Sequence, residues 1–272
     1  MRHHIIIWFC LYIVANCGIF AETYESSLVG YWKFDEGMGS STYDTISSMQ
    51  GTLSGNPTWA TGQYGNALVL DGIGDQVRIA DSPIFNFGAN DFSIALWLYV
   101  NGSQSNYANI FSQGTTSGHE HFLQIYSNKL DWAIRGGLSQ NLEINYSTST
   151  ALTLNAWQHI TLVRDGNTFT LYMNAVAKSS KDTTGSIENY TSPFYIGNRE
   201  AYHSDYSVKG SIDEFSIWHK ALSPTEINSL YTSGTTSFQT ISTVPELSSS
   251  CLMVLGVLGI FLYYNFRNIY NF

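Results

Sequence analysis

Between residues 28 and 218, short runs of β-formers recur at near-regular spacing, separated by turns rich in Gly, Asn, Asp and Ser. The clearest are LVGYWKF (28–34), ALVL (67–70), QVRIA (76–80), FSIALWLYV (92–100), NIFS (109–112), HFLQIY (121–126) and KLDWAIR (129–135). They continue with WQHITLVR (157–164), TFTLYMN (168–174), PFYIG (193–197) and SIDEFSIW (211–218). Many short strands punctuated in this way leave little room for anything but a sandwich or barrel of antiparallel sheets. The RDGN stretch places Asp165 and Gly166 at the centre of a type I′ hairpin turn. A single helix is expected, in ALSPTEINSLYTSG. There Ser223 caps, Pro224 takes the first helical position, Glu226 completes a capping box and Gly234 stops the helix.

Such a fold must rest on its hydrophobic core. The cysteines are Cys10, Cys17 and Cys251, so residues 22–243 have no thiol and cannot form a disulfide scaffold. That segment is long enough for one substantial core.

The two ends read differently. At the start, basic residues precede an apolar run from Ile5 to Phe20 and a small residue, Ala21, which is the pattern of a secretory signal peptide over residues 1–21. At the end, Leu252–Phe266 is almost continuously apolar and close to the length that spans a bilayer, so a transmembrane helix is expected there. A Ser/Thr-rich tether, residues 235–243, precedes it. Without Arg2 and Arg267 the remaining chain has 10 basic and 21 acidic residues, a net charge of −11 against −9 for the whole. Such a surface repels phosphate backbones and argues against nucleic acid as a partner.

Two resemblances sharpen these expectations. Val244, Pro245 and Glu246, the apolar segment and the terminal Arg267 together resemble the PEP-CTERM sorting signal over residues 244–272. That implies export to a bacterial cell envelope or surface, at least transient membrane anchoring by the C-terminal helix, and an exosortase-type processing enzyme as partner. Leu247 and the lone Arg267 depart from the usual second Pro and basic cluster. In the middle, LVGYWKFDEGMGSSTYD, GQYGNALVLDGIGDQVRI, LNAWQHITLVRDGNTFTLYMN and KGSIDEFSIWHKALSPTEINSLY occur in the order found in laminin G-like domains of the concanavalin A-like lectin/glucanase superfamily. The resemblance implies a jelly-roll sandwich of two antiparallel sheets over residues 22–234. Ala175, where a Gly is usual, and Ser47-Ser48, where a Ser-Gly pair is common, are the departures.

The adjacent carboxylates Asp213 and Glu214 decide whether the chain reads as an enzyme. Strict alternation along a strand puts Asp213 with Phe215 and Ile217, and Glu214 on the other face with Ile212 and Trp218. A glycosidase needs two carboxyls flanking one bond from the same side. The glucanases of the superfamily carry acidic residues two apart on one strand, a spacing absent from this sequence. The expectation is a non-enzymatic exported module that binds a glycan or an envelope or matrix component. A self-associating matrix protein is the alternative, and a glycoside hydrolase stands behind both. Asp213 on an otherwise apolar face needs hydrogen bonds or a cation. The family resemblance implies a structural calcium held by Asp35, Asp44 and Asp213, and capping of backbone amides is the other reading. His119 and His121 read as solvated loop histidines. Tyr107, Trp132, Tyr202 and Tyr206, with His203 and Asp205, are the candidate ligand-binding residues, because sugar sites combine aromatic platforms with nearby polar groups.

Overall fold

The computed structural model describes residues 27–104, 107–115, 118–144, 148–199 and 206–235, all within one compact unit, Ser26–Ser237. The expected signal peptide, tether, sorting tail with Val244, Pro245 and Glu246 and transmembrane helix, and the candidate residues Tyr202, His203 and Asp205, lie outside the described residues.

Sixteen strands, numbered in chain order, form two antiparallel sheets among the described residues. They are β1 (Leu28–Trp32), β2 (Ser41–Tyr43), β3 (Gln50–Ser54), β4 (Thr58–Thr61), β5 (Asn66–Asp71), β6 (Gln76–Ile79), β7 (Phe92–Val100) and β8 (Ala108–Thr115). There follow β9 (His119–Tyr126), β10 (Lys129–Arg135), β11 (Leu142–Ile144), β12 (Trp157–Asp165), β13 (Thr168–Met173), β14 (Val176–Asp182), β15 (Phe194–Ile196) and β16 (Lys209–Trp218). The first sheet runs β14-β13-β12-β7-β16-β5-β4, with β1 also paired to β16; the second runs β11-β10-β9-β8-β15-β6-β3-β2. This is the jelly-roll sandwich expected.

Period-two alternation builds the core. On β7, Phe92, Ile94, Leu96, Leu98 and Val100 face inward, and Ser93, Ala95, Trp97 and Tyr99 take the other face. On β10, Leu130, Trp132 and Ile134 alternate inward in the same way. Helix α1 (Pro224–Ser233) has the capping box expected, with Ser223 Oγ accepting from the Glu226 amide and Glu226 reaching back to the Ser223 amide. Its Ile227 and Leu230 are buried, and Tyr231 stacks on Trp97 at 5.6 Å, so the helix covers the outer face of the first sheet.

One turn differs from expectation. Asp165 pairs with Thr168, so the central residues of that turn are Gly166 and Asn167, and only Gly166 (φ 59°) is left-handed. That is the pattern of a type II′ turn, one residue along from the type I′ turn read from the sequence. The next hairpin, where Met173 pairs with Val176, has Asn174 (φ 51°) and Ala175 (φ 61°) both left-handed. An alanine there crowds its Cβ against the backbone. Ala175→Gly should therefore stabilise the protein by about 0.5–1 kcal/mol, the relief of left-handed strain less the entropy glycine adds to the unfolded chain. An unchanged or lower melting temperature would contradict this account of the turn.

Candidate functional site

Strand β16 carries the correction that matters most. It pairs with β7 along its length, but its register slips between Asp213 and Ser216, and Glu214 is left-handed (φ 55°). This is a β-bulge, and it breaks the alternation assumed from sequence. Ile212, Phe215 and Ile217 all enter the core, Asp213 pairs with Trp97 on the outer face, and Glu214 turns toward Tyr31 and the end of α1. Asp213 and Glu214 therefore do not face opposite ways. Both lie on the α1 side of the sheet, and the sequence argument against a same-face pair fails. The pair is nevertheless enclosed: Asp213 is 0% and Glu214 4% exposed.

Each carboxylate has a structural task. The other edge of β16 is shared, β5 pairing with Lys209–Ile212 and β1 with Phe215–Trp218, and the bulge falls where one neighbour gives way to the other. Asp213 Oδ2 accepts from the Tyr64 amide at 2.9 Å, in the β4–β5 turn. Asp35 Oδ1 accepts from the Asn66 amide at 2.7 Å, so two carboxylates hold this turn. A side chain at Gly62 would meet Asp213 Oδ2 at 2.5 Å, and one at Gly65 would strike Asp35, so the turn closes only with glycine at both positions. Glu214 Oε2 accepts from the Thr235 amide just beyond α1. Asp44 is occupied elsewhere. It accepts from the amides of Tyr31, Ile46 and Ser47 and from the Ser47 hydroxyl.

These contacts bear on the two sequence readings of Asp213. Asp35, Asp44 and Asp213 are engaged by different backbone amides. Among the described residues no group of three His, Cys, Asp or Glu could hold a metal. The three do not fit a common calcium ion as they stand, and amide capping accounts for them. Melting curves in added calcium and in chelator should coincide; a melting temperature raised by calcium and lost in Asp213→Asn would restore the metal.

Burial pushes the Asp213 carboxyl up to about 7 and raises Glu214 and the Tyr31 hydroxyl as well. A carboxyl whose folded pKa exceeds its unfolded value stabilises the fold fully only below the unfolded pKa, near 4, and that contribution is lost as pH rises through 7. Thermal stability should thus decline from pH 4 to pH 7 by about 1.4 kcal/mol for each unit of the upward shift. In Asp213→Asn, which keeps an acceptor for the Tyr64 amide, the decline should become shallower by the Asp213 contribution, with the raised Glu214 and Asp131 carboxyls supplying what remains. A wild-type profile that is flat over this window would refute the assignment.

The candidate ligand residues divide. Trp132 is buried, and its Nε1 donates to His121 Nε2 at 2.9 Å, so it is core and not a platform. His121 is likewise buried and held neutral, its pKa near 3 by burial, and is not the solvated loop residue expected. His119 does lie exposed, paired with Glu188 at 2.7 Å. Tyr107 and Tyr206 come together at the end of the second sheet, 6.5 Å between ring centres, and Tyr126 joins them 4.8 Å from Tyr107. Tyr107 is 44% exposed and Tyr126 and Tyr206 are half-buried.

Asn109 builds this cluster. Its Nδ2 donates to the Tyr107 carbonyl and its amide to the Tyr206 carbonyl, both at 2.7 Å. Tyr107 is held left-handed (φ 69°), a conformation that costs a non-glycine residue free energy and that clusters at functional positions. The sequence reading missed Tyr126, although HFLQIY carries the signal. His121, Leu123 and Ile125 alternate inward, which puts Phe122, Gln124 and Tyr126 on the outer face.

That outer face bears a polar row. Asn109 lies opposite Gln124, and Gln124 opposite Asp131, whose Oδ2 accepts from Gln124 Nε2 at 2.8 Å. Asn109 Oδ1 and Asp131 Oδ1 have no hydrogen-bond partner among the described residues, and burial raises the Asp131 carboxyl. Beyond it, Glu120 bridges Arg135 and Arg199, whose guanidinium groups lie over the Phe122 ring. Acidic side chains thus do share this face, but across strands, where spacing along one strand could not reveal them.

With this geometry in view, the comparisons place the fold. The laminin G-like model described as the concanavalin A-like lectin/glucanases superfamily matches residues 71–228, more than half of the 272-residue chain. The chain belongs to this superfamily. None of the curated proteins matches it in sequence. Among solved structures, it is similar to domain 4 of AbnA, a GH43 extracellular arabinanase from Geobacillus stearothermophilus, in complex with arabinotriose. The TM-score is 0.61 at 20% identity, over 75% of this chain and 98% of that domain. The binding domain of Paraclostridial Mosquitocidal Protein 1 follows, with TM-score 0.63, 18% identity and 76% of this chain covered. The match spans only 52% of that domain. The sialidase of Trypanosoma rangeli matches at TM-score 0.56 and 14% identity over 78% of this chain and 33% of its own.

Proposed function

We propose that this chain is a non-enzymatic binding module that recognises a glycan through the Tyr107–Tyr126–Tyr206 cluster and the loop that carries Tyr202, His203 and Asp205. The observation that carries the reading is three tyrosine rings gathered on one rim and held by Asn109, with Tyr107 substantially exposed. Aromatic faces pack against the C–H surface of a sugar ring, and neighbouring polar groups exchange hydrogen bonds with its hydroxyls. The neighbours lend support: one is a domain of an extracellular arabinanase in complex with arabinotriose, and another is the binding domain of Paraclostridial Mosquitocidal Protein 1.

The non-enzymatic part rests on enclosure. Asp213 and Glu214 lie beneath α1 and hold backbone amides, and Glu120 is neutralised between two arginines. Export by the N-terminal segment, and delivery to the cell surface by the Val244-Pro245-Glu246 tail with an exosortase-type enzyme and membrane anchoring, complete the proposal. The envelope or the surrounding matrix would supply the glycan.

A glycan array probed with the purified protein tests the reading. Specific binding should fall at least tenfold in Tyr126→Ala with Tyr206→Ala, while the melting temperature stays within a few degrees of wild type. Binding that is indifferent to both tyrosines would refute the site, and release of reducing ends from any array polysaccharide would refute the non-enzymatic reading.

A further inference from the structure

A cleft of about 940 Å³ opens on the other sheet and has no residue in common with the tyrosine rim. Its floor is the outer face of β12 and β13. Val163 lies there, and Thr168, Thr170 and Tyr172 alternate with the core residues Phe169, Leu171 and Met173. One wall is the 86–91 loop and the other is the segment from His219 to Pro224.

Both walls are fixed in advance. The buried guanidinium of Arg164 donates to the carbonyls of Gly88, Gly166 and Gly185 at 2.7–2.9 Å, which ties the 86–91 loop to the β12–β13 turn. Asp91 Oδ1 accepts from the Gly166 amide at 2.7 Å and closes the same junction. Phe87 stacks on Phe92 at 4.1 Å beneath this loop. On the far side, Ser93 Oγ donates to the Lys220 carbonyl and accepts from the Leu222 amide, and His219 Nε2 bonds with the Ile84 carbonyl. A site whose walls are held by the fold loses little entropy when a ligand enters.

The chemistry of the lining selects the ligand. The Lys220 ammonium is tied to Glu226 at 2.6 Å, Arg164 spends its donors on carbonyls, and His219 Nε2 is bonded to the Ile84 carbonyl, so the described lining favours a neutral ligand over an anion. What remains is rich in acceptors and hydroxyls: the Asp165 carboxylate, Thr168, Thr170, and Asn86, whose Oδ1 has no hydrogen-bond partner among the described residues. Tyr172 adds a half-buried ring. Carboxylate and amide oxygens accept from vicinal hydroxyls, and threonine hydroxyls both donate and accept.

We propose that this cleft is a second binding site, which takes a neutral sugar unit of an oligosaccharide. The place is independent of the tyrosine rim; only the ligand class rests on the glycan-binding reading. With sites on both sheets, one molecule could bridge two chains of a polysaccharide and gain avidity from the pair.

The test is an NMR titration of the purified full chain with three probes: arabinotriose and maltotriose as neutral oligosaccharides, and trilysine as a cation. At least one neutral trisaccharide should perturb the amides around Asp91, Asp165 and Thr170. Asp165→Asn with Thr170→Val should weaken that response at least tenfold without changing the melting temperature. Tyr126→Ala with Tyr206→Ala should leave it intact. Shifts confined to the tyrosine rim would overturn the cleft and leave the proposed function standing. Cleft shifts without rim shifts would keep the cleft and move the module's binding face. A cleft that responds only to trilysine, or to no probe, would overturn the proposal.

Discussion

The bulge at Asp213 and Glu214 organises this sandwich. A strand in mid-sheet has one neighbour on each edge, yet β16 has three: β7 on one side, and β5 then β1 on the other. Where β5 leaves and β1 arrives, backbone groups lose their ladder partners, and buried polar groups left unpaired cost about 1–3 kcal/mol each. The bulge supplies carboxylates at that gap. Asp213, on the outer face beneath the β4–β5 turn, takes the Tyr64 amide; Glu214 takes the Thr235 amide. The acidic pair is thereby the joint between two strands, a turn and the end of the helix.

The helix follows from the same joint. With Ile212, Phe215 and Ile217 all directed to the core, the outer face around Trp97 is left aromatic, and Tyr64 and Tyr231 pack against it with His159. His159 is held neutral by burial, near 3, so this cluster places no cation opposite Asp213. A carboxyl in such surroundings holds its proton, which is a property of burial and does not by itself signal catalysis.

Much of the fold was readable because it is local. Alternation gave β7, β10 and β12, and the Ser223-Pro224-Glu226 spacing gave α1 together with its cap. The same alternation already placed Trp132 between Leu130 and Ile134, and His121 in phase with Leu123 and Ile125. Both could have been assigned to the core. The bulge was not readable. Left-handed backbone is ordinarily announced by glycine or asparagine, and here a glutamate adopts it because three strands and a helix hold it there. The tyrosine rim and the Asn109–Gln124–Asp131 row are likewise products of pairing between strands distant in sequence. Strands β2, β3, β4, β11 and β14 escaped because each is an edge or near-edge strand that is short or polar. The row and the rim together explain why composition alone could not separate a sugar-binding surface from an ordinary aromatic-rich sandwich.

The central claim is that the conspicuous acidic pair builds the scaffold while recognition lies on the surface. The most direct measurement is glycan affinity in the double variant Asp213→Asn with Glu214→Gln, determined well below its melting temperature alongside the pH dependence of its melting. The account requires an affinity within twofold of wild type, together with a melting profile whose decline between pH 4 and pH 7 is shallower than that of wild type. Abolished binding or turnover in a variant that melts as wild type does would contradict it.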